Sequence, residues 1–308
     1  MKFVAAYRDD YGVEPICAVL TESGCPIAPS TFYAAQTATP SARACRDAEL
    51  IAVIEAERRQ RFVARFGARK MWLHLRRRGH EVARCTVERL MAQMGIRGAV
   101  RGKKPRTTIP DLGAERPTDL VDRKFFASRP DQLWVADFTY APTWAGMVYV
   151  AFVFDVFSRR VLGWRVATTM TTPLVLDTLE MAVWTRAQEG VNDLAGLVHH
   201  NDAGSQYTSI AFTSRLLDAG IDASVGSVGD AYDNALAESA IGCYKTELIN
   251  PEGPWRNAEQ VELATLEWVW WFNTERPHES IDDLTPVEAE QFHAALLASP
   301  ATAERVPV

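Results

Sequence analysis

Cysteine is scarce in this chain and poorly placed for cross-linking. The five cysteines, Cys17, Cys25, Cys45, Cys85 and Cys243, are an odd number, widely spaced and without a CxxC pair, so neither a disulfide framework nor a zinc ribbon is indicated. His74, His80 and Cys85 stand close together, but no second cysteine follows at the spacing a zinc unit needs. Long apolar runs are missing too. None approaches the roughly 18 residues of a membrane span, and the N-terminal MKFVAAYRDDYG has no apolar core of the kind a signal peptide carries. These absences predict a cytoplasmic chain with reduced thiols and no membrane partner. Sustained heptads are absent as well, which excludes a zipper of its own.

A net positive charge is also lacking. The 308 residues carry a formal charge of −6, which at first argues against a nucleic-acid partner, but the distribution reverses that. Between Ser41 and Thr108 stand 18 Lys and Arg against 6 Asp and Glu, a local charge of +12. Such a block is the electrostatic footprint of a polyanion.

Periodicity places helices ahead of and within this basic block. Val13, Ile16, Cys17 and Leu20 have helical spacing, with Pro29, Ser30 and Thr31 opening a second short helix through Phe32 and Tyr33. A charged helix is predicted from Ala44 to about Gly67. Ala68–Arg78 and Arg84–Met94, broken at Gly79, form a stronger pair: Met71, Trp72 and Leu75 face Val87, Leu90 and Met91, leaving Arg76, Arg77, Arg78, Arg84 and Arg89 outside. This is the layout of a helix-turn-helix whose second helix enters a DNA groove, and residues 1–96 read as one helical DNA-binding region. Residues 97–129 mix Gly, Pro, Thr and charge without periodicity and read as a linker, where Lys103 and Lys104 are candidates to follow a phosphate backbone.

Beyond the linker the pattern changes to α/β. Leu133–Ala141, Gly146–Phe154 and Val161–Ala167 read as three strands in an antiparallel meander, followed by a helix over Pro173–Gln188, a fourth strand ending at Asp202, a helix over Ile210–Ala219 and a short strand Ile221–Val225. A last helix of this unit, 130–250, starts near Asp230 to Asp233 and runs through Leu248. Residues 251–308 hold a helix from Asn257 to Asn273, whose aromatic stripe reads as core packing, and a tail expected to be disordered from about Ser299.

Three acids stand out by their surroundings. Asp137 lies in the middle of an apolar strand, where an unpaired carboxylate is costly. Asp202 ends the fourth strand, at the kind of strand end where active-site groups collect. Glu238, on the last helix, is separated from Asp202 by 35 intervening residues, with Asn234 and Lys245 at i−4 and i+7 on the same face. Hard divalent cations take such oxygen ligands, and two ions roughly 3.5–4 Å apart can serve an in-line displacement at phosphorus. The kit predicts a two-ion Mg²⁺ (or Mn²⁺) site of Asp137, Asp202 and Glu238. Ser205, Gln206, Asn234 and Lys245 are the neighbouring candidates for holding DNA. Asp155, a rival acid, sits beside Ser158 and Arg159 and reads as a turn cap.

These residues carry a resemblance. The order Asp137, Asp202, 35 residues, Glu238 and then Lys245 resembles the acid triad of retroviral-integrase-like transposases, and WVADFTY, FDVFSRRVLGW, HNDAGSQY, SVGDAYDNALAES and NTERPH resemble the downstream-frame (OrfB) transposase of a large bacterial insertion-sequence family. GARKMWLHLRRRG resembles the same family's helical segment. The chain departs from the pattern at Asn201 (usually Ser), Ala203 (often Arg) and Phe66 (often Tyr). The resemblance implies an α/β fold with a ribonuclease-H-like mixed-sheet core behind an N-terminal helix-turn-helix region, and metal-dependent DNA cleavage and strand transfer. It also implies double-stranded DNA ends and targets, an upstream-frame OrfA partner, and a homo-oligomer on DNA. The alternative is a catalytically idle DNA-binding regulator or assembly subunit, with a ribonuclease on RNA–DNA hybrids as a third reading.

Overall fold

The computed structural model describes residues 1–100, 126–201, 209–225 and 235–298. The chain divides into two compact units, Met1–Glu57 and Arg58 onward, so the division falls inside the region expected to span 1–96.

The first unit is four helices: α1 Lys2–Tyr11, α2 Val13–Glu22, α3 Pro29–Thr37 and α4 Ala42–Glu57. Gly12, at φ 80°, separates α1 from α2, and Pro29 opens α3 where its missing N–H costs nothing. Val4, Val13, Ile16, Cys17 and Phe32 form the core. Helix α1 lies ahead of the segments read as helical; Val4 is its one buried residue, so it has almost no apolar periodicity to read. Helix α4 stops ten residues short of the predicted Gly67, and a short 3₁₀ turn at Val63–Arg65 follows in the second unit.

There the turn brings Phe62 onto Trp271, with ring centroids 4.7 Å apart, and Phe66 to 5.9 Å from the same ring. Phe66 is buried in this cluster, where the hydroxyl of the more usual Tyr would need a partner. Helices α5 Ala68–Arg77 and α6 Arg84–Gln93 follow, with Gly79 at φ 88° in the turn. Met71 and Leu75 bury against Val87, Leu90 and Met91, the seam the spacing predicts, and Trp72 Nε1 donates to the Val82 carbonyl across the turn at 2.9 Å.

The sheet has the order β3-β2-β1-β4-β5. Strands β1 Leu133–Thr143, β2 Gly146–Asp155 and β3 Val161–Ala167 form the expected antiparallel meander, while β4 Val198–Asn201 and β5 Asp222–Val225 run parallel to β1. Helix α7 Thr172–Gln188 joins β3 to β4 and α8 Ile210–Asp218 lies between β4 and β5. Strand alternation divides the side chains between two faces. On one, Trp134, Ala136, Val153 and Leu162 pack on Leu179 and Ala182 of α7 and Phe212 and Leu216 of α8. Gly163 allows this approach, because a Cβ there would sit 2.2 Å from the Thr178 carbonyl.

On the other face, Phe152 meets the rings of Tyr244 at 5.0 Å and Trp268 at 6.1 Å. Tyr244 ends helix α9, Ala235–Tyr244, and Trp268 lies in α11, Ala258–Thr274. Between them the α9 backbone widens into a π turn at Lys245–Ile249 and closes with the short α10, Asn250–Glu252. The helix expected to run regularly through Leu248 is therefore continuous but not uniform. A final helix, α12 Pro286–Ala298, was not anticipated; its only buried residues are Pro286 and Ala289. The tail beyond it lies outside the described residues.

Candidate active site

Strand β1 carries Asp137 directly opposite Phe152 of β2, and residues opposite one another in a ladder share a face. Asp137 thus points to the side covered by α9 and α11. Its carboxylate is half-buried, and Oδ1 accepts the Phe138 N–H at 2.8 Å. Glu238, also half-buried, lies in the first turn of α9, which packs against β1. The N-terminal end of a helix favours an anionic side chain. Seven residues on, the Lys245 ammonium lies 4.2 Å from the centroid of the Tyr140 ring, a cation–π contact that joins the same helix to β1 three residues past Asp137.

Strand β4 brings the second acid's segment to the same place. Its last pairing is Asn201 with Ala136, the residue before Asp137. Asp202 follows Asn201 in the chain but lies outside the described residues, as do Ser205, Gln206, Asn234, Lys103 and Lys104. Among the described residues no group of three His, Cys, Asp or Glu side chains is gathered as a metal site; two of the three predicted acids are described, and their carboxylate oxygens suit a hard divalent cation.

The two histidines before Asp202 differ. His200 Nδ1 lies 2.9 Å from Ser224 Oγ of the neighbouring β5. His199 faces α8, edge-on to Phe212 at 5.5 Å, with no hydrogen-bond partner at either ring nitrogen. Burial, reinforced by His200, pushes its pKa down to about 3, so the ring is neutral and serves as core.

Asp155 is fully buried and accepts the Asp131 N–H at 2.8 Å, the Ser158 N–H at 2.8 Å and the Ser158 hydroxyl at 3.0 Å. Burial raises its pKa to about 6 against these hydrogen bonds. Beside it, Arg186 bridges Asp131 and Glu290 of α12, at 2.8 and 2.7 Å. This is the turn role expected of Asp155, in a polar network that ties α12 to α7.

The predicted DNA-binding arginines are differently engaged. Arg76 lies over the Trp72 ring at 5.2 Å, and Arg84 pairs with Glu88 one turn on at 2.7 Å. Arg89 is a half-buried residue of α6. Arg77 donates at 2.8 Å both to the Asp283 carbonyl and to Glu288, so its guanidinium is occupied within the fold. Residues that attracted no role in the sequence stand behind the site. Asn273 pairs its side-chain amide with the N–H and carbonyl of Val161, both at 2.9 Å, and Arg276 grips Glu247 in the π turn. The NTERPH motif was their one signal, and it names neither partner.

Comparison with known proteins gives the family. Two models of an integrase core domain match residues 127–231 and 219–286, and one of an HTH-like domain matches 42–104. A Mycobacterium tuberculosis protein assigned as transposase to insertion sequence element IS986/IS6110 is 56% identical over 276 residues, 90% of this chain and 99% of that protein. The transposase of insertion sequence element IS629 from Shigella sonnei is 48% identical over 304 residues, 97% of this chain and 98% of the relative. Among solved structures, a chain of the simian T-cell lymphotropic virus intasome aligns with a TM-score of 0.44 at 17% identity, over 79% of this chain and 73% of that one. With near full-length matches at this identity, the chain belongs to the insertion-sequence transposases that carry an integrase core behind an HTH-like domain.

Proposed function

We propose that this protein is the enzyme that frees and joins the ends of an insertion sequence, with Asp137, Asp202 and Glu238 as its catalytic acids. The observation that carries this is the convergence of three elements: β1 bearing Asp137, β4 whose last residue pairs next to Asp137, and α9 bearing Glu238 against β1. Asp202 follows Asn201, the last residue of β4, directly in the sequence.

The three carboxylates would hold Mg²⁺ or Mn²⁺, two ions in the fullest form of this reading. When bound, the metal supplies activation of the attacking oxygen and stabilisation of the leaving one. In the first reaction a water oxygen attacks the phosphorus at the element end and the 3′-oxygen leaves as a hydroxyl. In the second, that hydroxyl attacks a target phosphodiester, one P–O bond forming as another breaks.

Around this centre the chain binds and orients DNA. Lys245, held over Tyr140, is placed to take a phosphate beside Glu238. Ser205 and Gln206, close after Asp202 in sequence, and Asn234, four residues before Glu238, offer neutral hydrogen bonds, and Lys103 and Lys104 add sequence-independent affinity. Arg76, Arg84 and Arg89 give the α5–α6 pair a basic surface for a duplex, with Arg84 and Arg77 exchanging Glu88 and Glu288 for phosphate. The upstream-frame OrfA partner and a homo-oligomer on DNA belong to the same reading.

The test is cleavage and joining of end-sequence DNA with Mn²⁺ by the intact chain and by Asp202→Asn. The substitution abolishes both steps while DNA retention persists. Activity that survives in a demonstrably folded variant removes this reading of the acids, whereas a folded parent chain that retains end-sequence DNA without cutting it leaves the idle DNA-binding reading.

A further inference from the structure

One buried ion pair is explained neither by the sheet nor by the candidate carboxylates. Arg276 of the NTERPH motif is 6% exposed and Glu247 of the π turn 8%. Arg276 Nε donates to both Glu247 oxygens at 3.0 Å and Nη2 to Oε1 at 2.8 Å. Nη2 also reaches Cys243 Sγ at 3.2 Å, Nη1 lies 3.2 Å from His278 Nδ1, and the guanidinium sits 5.3 Å from the Phe272 centroid. Lys70 of α5 adds a second cation, its Nζ 3.5 Å from Glu247 Oε1. Glu247 is thus held from two elements, and only the planar fork of an arginine offers this set of donors at once.

The location gives the pair its meaning. Glu247 lies two residues past Lys245 and nine past Glu238 in one continuous helical run, 235–249. At about 1.5 Å per residue, the anchor sits roughly 14 Å along the helix from the candidate acid. A π turn is rare and is found frequently at functional sites. It shifts the angular phase of everything after it, so a fixed Glu247 fixes the rotation of the helix ahead of it. Three residues before Arg276, Asn273 is paired to Val161 of the edge strand β3, so the motif spans from sheet to helix. A buried ion pair gains little net stability over an apolar pair, while its geometry is specific, which suits an orienting role.

We propose that Arg276 is a positioning residue: through Glu247 it sets the rotation of the helix that carries Glu238 and Lys245 and so aligns both with β1. This rests on the reading of Glu238 as a catalytic acid. The test uses the full-length chain with Arg276→Ala, Glu247→Gln, Arg276→Lys and Glu238→Gln, each measured for thermal unfolding, retention of end-sequence DNA, single-turnover joining across a Mn²⁺ titration, and amide hydrogen exchange over 235–249. Joining by Arg276→Ala and Glu247→Gln falls about 100-fold, the scale of an ångström misplacement. Their half-saturating Mn²⁺ rises, exchange over 235–249 quickens and DNA retention stays. Arg276→Lys, which keeps the charge without the fork, falls between them and the parent. If Arg276→Ala does not fold, the near-isosteric Glu247→Gln decides alone. Folded variants that join at the parent's rate and Mn²⁺ requirement overturn the proposal, as do variants that lose joining with Mn²⁺ requirement and exchange unchanged. Joining retained by Glu238→Gln sinks the reading of the site itself, whereas a dead Glu238→Gln beside a fully active Arg276→Ala sinks the positioning role alone.

Discussion

Asp137 and Asp155 stand on neighbouring strands of one sheet, and the fold uses them in opposite ways. Asp155 ends β2, is wholly buried and has one oxygen taken by the Asp131 N–H ahead of β1 and the other by Ser158 in the turn that follows. Asp137 lies mid-strand, half-buried, one oxygen accepting its own neighbour's N–H, on the face that α9 brings Glu238 to. A carboxylate saturated with fixed N–H donors holds a turn together. Asp137, half-buried on the face that α9 covers, is the acid proposed to hold something that is not protein.

Substitutions at the two positions should dissociate accordingly, with the largest effect at Asp137. Asp137→Asn and Glu238→Gln lower single-turnover joining by about a thousand-fold or more, the scale set by losing a charge that stabilises the transition state, while chemical denaturation finds stability unchanged or slightly raised. Asp155→Ala does the reverse. It leaves the Asp131 and Ser158 donors and the neighbouring Arg186 short of a partner, costs about 3–5 kcal/mol in urea unfolding, and leaves joining per folded molecule near the parent value. Equal losses of both kinds at both positions would erase the distinction.

A smaller effect probes the sheet that presents Asp137. Gly163→Ala drives a methyl against the Thr178 carbonyl and the Ala182 amide, and the displaced α7 costs about 1–3 kcal/mol in unfolding free energy, with the Mn²⁺ requirement of joining unchanged. The smallest effect is a pH dependence. The His199 pKa lies at about 3 in the fold against an ordinary 6.5. The unfolded chain therefore takes up a proton that the folded one refuses, and this share of stability, complete above about 6.5, is lost as pH falls toward 3. His199→Phe, which fills the site beside Phe212 without titrating, loses less stability between pH 7 and pH 4 than the parent does. Parallel unfolding curves for the two would show that His199 is protonated in the fold.

Much of the core was legible because its signals are local. β-Branched and aromatic runs announced β1, β2 and β3, and the seam of Met71, Leu75, Val87, Leu90 and Met91 announced α5 and α6. What could not be read depends on distant partners: Asn273 answers Val161, 112 residues away, and Arg276 answers Glu247, 29 residues away. The π turn has no signature of its own, and α12 shows little amphipathic pattern because polar Glu290 is drawn inward by Arg160 and Arg186. The site divides the same way. Asp137 was conspicuous in an apolar strand, whereas Asp202 and Asn234, equally conspicuous in sequence, lie outside the described residues, and Arg77 answers an acid on α12 that spacing does not reveal.

The central claim is that Asp137 is itself a metal ligand, and ligand softness tests it most directly. In Asp137→Cys the hard carboxylate gives way to a thiolate, which disfavours Mg²⁺. The account predicts that this variant fails to join end-sequence DNA in Mg²⁺ and regains joining in Mn²⁺. An Asp137→Cys protein that joins in Mg²⁺ as well as the parent would contradict it.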